Sequence, residues 1–324
     1  MKKIIALILA MTLFATLLCS CNNTGENTVQ VRVLTLKGPT GMGMAKMMDD
    51  AKNDNNSKYT FTVAAQPTEA VASVVGEKVD IAAVPTNLAS TLYKKTEKGI
   101  KMIAINTLGS LYILEQGNEI NSISDLKGKT VYATGQGANP EYVLKYLLEK
   151  NGLKVGEDVK IEFKAEHSEL AALMASGECV LGMLPEPNVS SAMAQNANLR
   201  IALNLNDEWN KVADEGSALT MGCVIVSEKF LSENPKIVKQ FLKDLETSIN
   251  YVKDNPKDAG TLCETYGIVP KAALATKALP NCNLTFISGK NMKKTIDGYL
   301  NLLYNANPVS VGGELPGDEF YYTK

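Results

Sequence analysis

Arginine is almost absent from this chain. Arg32 and Arg200 are the only guanidinium groups among 33 basic residues, and both sit in apolar, strand-like runs, VRVLTL and NLRIALNL. A dianion is normally gripped by the planar guanidinium fork, which stays charged and matches two oxygens. The shortage argues against sulfate or phosphate as a ligand. Histidine is rarer still: His167 stands alone, directly before Ser168. Adjacent side chains do not face each other usefully, so the pair makes no triad, and His167 reads as a surface or capping-loop residue. No Walker loop, HExxH or metal-spaced cluster occurs, so no metal or cofactor is expected. GQGANP (135–140) imitates half of a dinucleotide fingerprint, but Pro140 replaces the third glycine and no acidic ribose partner follows. No basic patch interleaved with aromatics appears either, which excludes nucleic acid.

Cysteine pairs of metal or redox type are also lacking. The four body cysteines, Cys179, Cys223, Cys263 and Cys282, form no CxxC or zinc-type spacing. Cys179 and Cys223 lie in apolar runs and read as buried thiols. Cys263 and Cys282 flank a helix-rich segment and are a possible disulfide in an oxidising exterior.

What is present begins with MKKIIALILAMTLFATLLCSC: two lysines, an apolar run too short to span a bilayer comfortably, then small residues. That is the pattern of a secretory signal, residues 1–20. Its end, Leu18-Cys19-Ser20-Cys21, is similar to a bacterial lipobox, with Cys21 the lipidation (palmitate-type acylation) site because small Ser20 precedes it. Residues 21–28 then read as a polar, lipid-anchored tether. The expected location is the cell membrane, held by lipid on its extracytoplasmic side. Without Lys2 and Lys3 the balance is 31 basic against 35 acidic residues, a net −4. About 300 remaining residues exceed what one core usually organises, so two lobes are expected.

The body alternates strands and helices. VQVRVLTL (29–36), YTFTVAAQ (59–66), VDIAAV (79–84), KMIAINTLG (101–109) and SLYILEQG (110–117) read as strands. So do KTVYATG (129–135), VKIEFKA (159–165), CVLGML (179–184) and TMGCVIVS (220–227). MGMAKMMDDA (42–51) and PEYVLKYLLEKNG (140–152) read as helices. NPKIVKQFLKDLETSINYVKD (234–254) is a third, with Ile237, Phe241, Leu245, Ile249 and Val252 along one face. This alternation means α/β layers with mostly parallel sheets. One unit occurs twice: PTEAVASVVGEKVDIAAVPTN from Pro67, and HSELAALMASGECVLGMLPEP from His167. Each is a helix, a Gly-Glu turn and a strand ending at proline, Pro85 or Pro185. Two such lobes facing each other present strand C-termini and helix N-termini to a ligand between them. Met44, Met47 and Met48 fit core packing, whereas Met42 sits near enough to the helix start to line a cleft. Asp49, Asp50 and Asp54 read as a solvated helix end.

The lipobox, GEKVDIAAVP (76–85), SISDLKGKTVYATGQGANPEYVLKYLLEKNGL (122–153), SGECVLGMLPEP (176–187) and VSEKFLSENPKIVKQFL (226–242) carry a resemblance. By them the chain resembles the substrate-binding lipoproteins of ABC importers, in the NMT1/THI5-like family that serves sulfonates, taurine, nitrate and thiamine-pyrimidine precursors. The likeness runs from about Val31 to Tyr251. It departs at Cys179, where the family usually has the aspartate that the first unit keeps as Asp80. The resemblance implies a type II periplasmic-binding-protein fold, with lobe I at 29–112 plus 224–324 and lobe II at 113–223. Crossovers would fall near 107–117 and 216–227. It also implies a monomer that is not an enzyme, closing on a small organic solute and delivering it to an ABC permease. The alternative is an exported two-lobed enzyme of cofactor-precursor metabolism.

The expected ligand-binding residues lie at the convergent loops, where strand ends and helix starts meet. They are Thr40, Gly41, Met42, Thr68, Thr86 and Asn87 on one side, and Gln136, Asn139 and Glu186 on the other. Glu69, Glu141 and Glu186 in these loops repel a second negative charge. Beside Tyr112, Tyr132 and Tyr142, they suit an amino-bearing heteroaromatic. A neutral, zwitterionic or singly charged nitrogen-containing solute follows.

Overall fold

The computed structural model describes residues 29–323. The expected leader, Cys21 and the whole of the tether lie outside the described residues. In the first lobe the chain forms β1 (Val31–Leu36), a one-turn helix α1 (Pro39–Met42), α2 (Ala45–Asn53) and β2 (Tyr59–Ala64). It continues through α3 (Pro67–Val75), β3 (Ile81–Pro85), α4 (Thr86–Lys95) and β4 (Ile100–Leu108). The second lobe holds β5 (Leu111–Gln116), β6 (Thr130–Thr134), α5 (Asn139–Lys150), β7 (Lys160–Lys164) and α6 (His167–Ser176). It ends with β8 (Leu181–Pro185), α7 (Asn188–Gln195) and β9 (Leu199–Asn204), after which α8 (Leu205–Val212) leads back. The first lobe is completed by β10 (Thr220–Ser227), α9 (Glu228–Glu233), α10 (Pro235–Asp254), α11 (Pro256–Thr265), α12 (Ala272–Ala278), β11 (Leu284–Ser288) and α13 (Asn291–Ala306).

The sheets run β11-β4-β10-β3-β1-β2 and β7-β6-β8-β5-β9. β1 and β3 are largely apolar and, Arg32 and the strand-ending Pro85 apart, buried, as a parallel strand covered by helices on both faces requires. The repeated unit occupies the same place in each lobe. β3 lies parallel to β1 beside it, and β8 lies parallel to β6. β5, β10 and β11 run antiparallel to the strands beside them, the first two for one reason. β5 and β10 are the first strands after each crossover; they enter their sheets from the edge where the previous lobe was left. Each is therefore antiparallel to the strands whose C-termini end at that edge.

Sheet pairing moves the expected lobe boundaries by a few residues. Leu111 and Tyr112 pair with Pro185 and Leu184 in the second sheet, while Gly222 and Cys223 pair with Pro85 and Val84 in the first. Gly109 and Ser110 are thus the whole first crossover. The helix expected at 42–51 is broken at Gly43-Met44 into α1 and α2. Ser248 of α10 enforces the break: its hydroxyl donates to the Gly43 carbonyl at 2.7 Å and accepts from the Met47 N–H at 3.0 Å. α10 itself turns Val238 rather than Ile237 fully into the core, followed by Phe241, Leu245, Ser248, Ile249 and Val252.

The expected Cys263–Cys282 bridge is not formed; both are buried free thiols, as are Cys179 and Cys223. The Cys282 thiol donates to the Ala278 carbonyl at 3.2 Å and contacts the Met42 sulfur at 3.4 Å, so its side chain is committed elsewhere. One apolar cluster fills the outer layer of the first lobe. A second is continuous through both lobes, running from Leu34 and Leu92 by way of Trp209 and Tyr299 to Val131 and Leu144.

Candidate functional site

The C-terminal ends of β1, β3 and β4 face those of β6, β8 and β9, so the loops beyond them meet between the lobes. The interlobe face is held by polar side chains from both sides. Asn139, first residue of α5, donates its amide to Asn87 Oδ1 at 2.9 Å. Asn87 in turn donates to the Ser310 carbonyl at 3.3 Å. Further along, Glu186 is only 3% exposed. Its carboxylate accepts from the Ser190 N–H at 3.1 Å, the Ser190 hydroxyl at 2.9 Å and, across the cleft, the Asn281 amide at 3.0 Å. The Tyr112 hydroxyl donates to the Asn281 carbonyl at 2.6 Å. Burial holds the Glu186 carboxyl above its ordinary range, against the pull of these donors.

Helix N-termini at this edge suit anions, but three of them already carry an acid of the chain itself. Glu69 at the start of α3 accepts from the Ala65 N–H at 3.4 Å, and Glu169 at the start of α6 accepts from the Ala165 N–H at 3.1 Å. Glu141 in the first turn of α5 accepts from the Gly137 N–H at 2.5 Å and pairs with Lys145 at 2.5 Å. Burial raises the Glu141 carboxyl, but Lys145 and Gly137 outweigh it and hold the group ionised below its usual range. The guanidinium groups are spent elsewhere: Arg32 on Asp80 at the far edge of the first sheet, Arg200 on Glu115 and the Ile120 carbonyl.

The expected site residues divide. Asn87 meets Asn139, and Glu186 joins Asn281. Thr40 and Gly41 form the α1 turn, with the Thr40 carbonyl accepting from the Asn106 amide at 3.0 Å. Gly41 is required there because a Cβ would stand 2.4 Å from the Leu36 carbonyl. Met42, expected to line the cleft, is completely enclosed against Cys282 beneath it. Thr86 is fully buried; its hydroxyl bonds to no oxygen or nitrogen and lies beside the Cys223 thiol. Thr68 and Gln136 are exposed at the loop surfaces.

Asn106, Asn281 and His167 were not among the expected site residues. His167 is part-buried rather than superficial, with its Nδ1 2.5 Å from the Thr134 hydroxyl at the end of β6, and burial lowers its pKa. An amide inside the apolar run KMIAINTLG was a legible signal for Asn106. Nothing in ALPNCN marks Asn281, which is brought in by tertiary packing. Among the described residues no cluster of side chains fits a metal ion, and no helix is long and apolar enough to cross a membrane.

No curated protein sequence matches the chain. Among solved structures, an ABC transporter protein from Parabacteroides distasonis is 25% identical, with 92% of this chain and 100% of that one covered at TM-score 0.76. The periplasmic aliphatic sulphonate binding protein of Escherichia coli shares the fold at 14% identity, covering 91% and 93%, with TM-score 0.68. The periplasmic nitrate-binding protein of Synechocystis PCC 6803 shares it at 11% identity, covering 82% and 75%, with TM-score 0.53. The fold is thus the two-lobed type II periplasmic-binding-protein fold. A family profile described as NMT1/THI5 like matches residues 58–259, more than half of the chain, and the protein belongs to that family.

Proposed function

We propose that this protein is the solute-binding component of an ABC import system. It captures a small organic solute between its lobes and hands it to a membrane permease while anchored by lipid at Cys21. The observation that carries the reading is the meeting of strand-end loops from two α/β lobes, joined by short crossovers, through direct bonds such as Asn87 to Asn139. A face that can close on itself by hydrogen bonds can also close on a solute that offers equivalent groups, excluding water as it does so. The nature of the relatives supports it: an ABC transporter protein, a sulphonate binder and a nitrate binder. Both arginines pair away from the interlobe face, which supports a solute other than sulfate or phosphate.

A thermal-shift screen of small organic solutes tests the reading. A true solute at about a hundredfold its Kd stabilises by roughly 2.7 kcal/mol, and it is recovered chemically unchanged. A solute converted by the protein, or unaltered solute uptake in a strain lacking it, overturns the proposal. Cys21→Ser should release the protein from the membrane fraction or leave the leader uncleaved; full membrane retention of that variant refutes the anchor.

A further inference from the structure

We propose that the end of the first lobe turned away from the cleft holds a second ligand site, for a small zwitterion with an apolar body, of the size of a hydrophobic amino acid or dipeptide. It does not depend on the solute-capture reading. The site is a cavity of about 420 Å³ at the N-terminal edge of the first sheet. Small molecules are held in cavities of roughly 300–1,000 Å³. β1, β3 and β4 begin there, the antiparallel β10 ends there, and α3, α4 and α9 wall it in. Its floor is apolar: Val74, Ile81, Ile100, Ile225 and Phe230 are each at most 9% exposed. Val75, in its lining, leaves an apolar side chain 47% exposed to water. Such a hollow forfeits packing contacts that an apolar guest restores.

The charged lining defines the rest of the guest. Arg32 and Asp80 neutralise each other on one wall. The Arg32 Nε and Nη2 donate to the two carboxylate oxygens at 3.0 and 2.6 Å, and its backbone N–H adds a third bond at 2.8 Å. Glu228 pairs with Lys101 at 3.4 Å. Four charged side chains of the lining are left over: among the described residues Lys95, Lys229, Glu77 and Glu233 form no ion pair. Two cations and two anions around one apolar floor sum to zero. A guest with a single charge meets as much repulsion as attraction, whereas one with both an ammonium and a carboxylate can turn each toward its opposite. The polar wall is not demanded by the fold. In the second copy of the helix–turn–strand unit Cys179 stands where the first has Asp80, and that thiol is buried in an apolar cluster with Leu114 and Leu170. The unit therefore folds without the ion pair, and Arg32 and Asp80 are free to shape a site.

Leucine, phenylalanine and leucyl-phenylalanine are titrated calorimetrically into the whole protein. Leucinamide, which lacks the carboxylate, N-acetyl-leucine, which lacks the ammonium, and glycine, which lacks the apolar body, serve as controls. The same titrations are run on Val75→Trp, which fills the cavity, on a Lys95→Ala, Lys229→Ala double variant, and on Asn87→Ala, which alters the cleft. At least one of the first three probes is expected to bind the wild type. Leucinamide and N-acetyl-leucine should bind about fivefold more weakly than leucine, the upper end for an exposed ion pair, and glycine should give no heat. The lysine double variant should lose a similar factor, Val75→Trp should lose binding altogether, and Asn87→Ala should bind as the wild type does. The substituted side chains are exposed, so unchanged thermal unfolding of these variants shows that lost binding reports the site. Failure of all three probes, leucinamide or N-acetyl-leucine binding as tightly as leucine, or unchanged affinity in both cavity variants overturns the proposal. Binding lost in Asn87→Ala and kept in Val75→Trp also overturns it, by moving the guest to the cleft. Solute capture is judged apart: a solute that stabilises Val75→Trp as it does the wild type upholds capture whatever becomes of this site.

Discussion

Asn87 serves two partners at once: its Oδ1 accepts from Asn139 across the cleft, and its Nδ2 donates to the Ser310 carbonyl within its own lobe. Alanine removes both bonds, yet the freed groups lie at a partly exposed edge where water can replace them. Asn87→Ala is therefore expected to weaken solute binding by about tenfold, the value of one bond to a buried group, while lowering the melting temperature by little. Calorimetry and a thermal scan on the same sample check this; normal binding would show that the amide only finishes a turn. His167 gives a pH signature. Burial lowers its pKa below the ordinary 6.5, so the folded state favours the neutral ring that meets Thr134. For a depressed histidine the unfolded chain binds the proton first. Its contribution is complete above about pH 6.5 and is lost as the pH falls toward the folded value. Burial raises the Glu186 carboxyl, which acts in the opposite sense, favouring the fold at low pH and losing that contribution as pH rises through its raised pKa. Comparing the wild type with His167→Gln isolates the histidine: its melting temperature should fall less between pH 7.5 and 5. Parallel profiles would refute the assignment.

Elements were far more legible than contacts. The two repeated units and the nine sequence-read strands each appear, because hydrophobic period and turn residues are local properties. Ser248 shows where locality ends. In NPKIVKQFLKDLETSINYVKD it is a small polar residue on an apolar face, and only packing reveals that it breaks a different helix at Gly43. Asn281 is the same case at the candidate site, since no local pattern tells which asparagine a fold will carry across to Glu186. Gly109 can be argued at the element scale as well. The two crossovers touch there, with the Gly109 N–H donating to Asn206 Oδ1 at 3.3 Å and its carbonyl accepting from the Asn283 amide. A Cβ on Gly109 would stand 2.6 Å from Leu219 Cδ2 and 3.0 Å from Asn206 Cβ. Gly109→Ala should overpack the hinge at a cost of about 1–3 kcal/mol, lowering the melting temperature by roughly 2–6 °C. An unchanged melting temperature would mean that the crossovers move apart freely.

For the whole molecule, two lobes suggest two independent unfolding steps, but the core argues otherwise. Trp209, on the return crossover, packs against Tyr146 of the second lobe at 5.0 Å with the rings tilted by 37°, and meets Tyr299 of α13 edge-on at 6.1 Å. All the strands of both sheets lie in a single compact unit from Val31 onward, and one apolar cluster passes through both lobes. Separating them would expose Trp209, Tyr299, Leu144 and Leu147, all at most 1% exposed. Burying a large apolar side chain is worth about 1.5–3 kcal/mol. Losing several together leaves neither lobe stable on its own, so the lobes should melt as one. Calorimetric and van't Hoff enthalpies should agree, and the fluorescence of Trp209, the only tryptophan, should change in step with far-ultraviolet dichroism. Two resolved transitions, with Trp209 reporting only one of them, would show that each lobe is stable without the shared core.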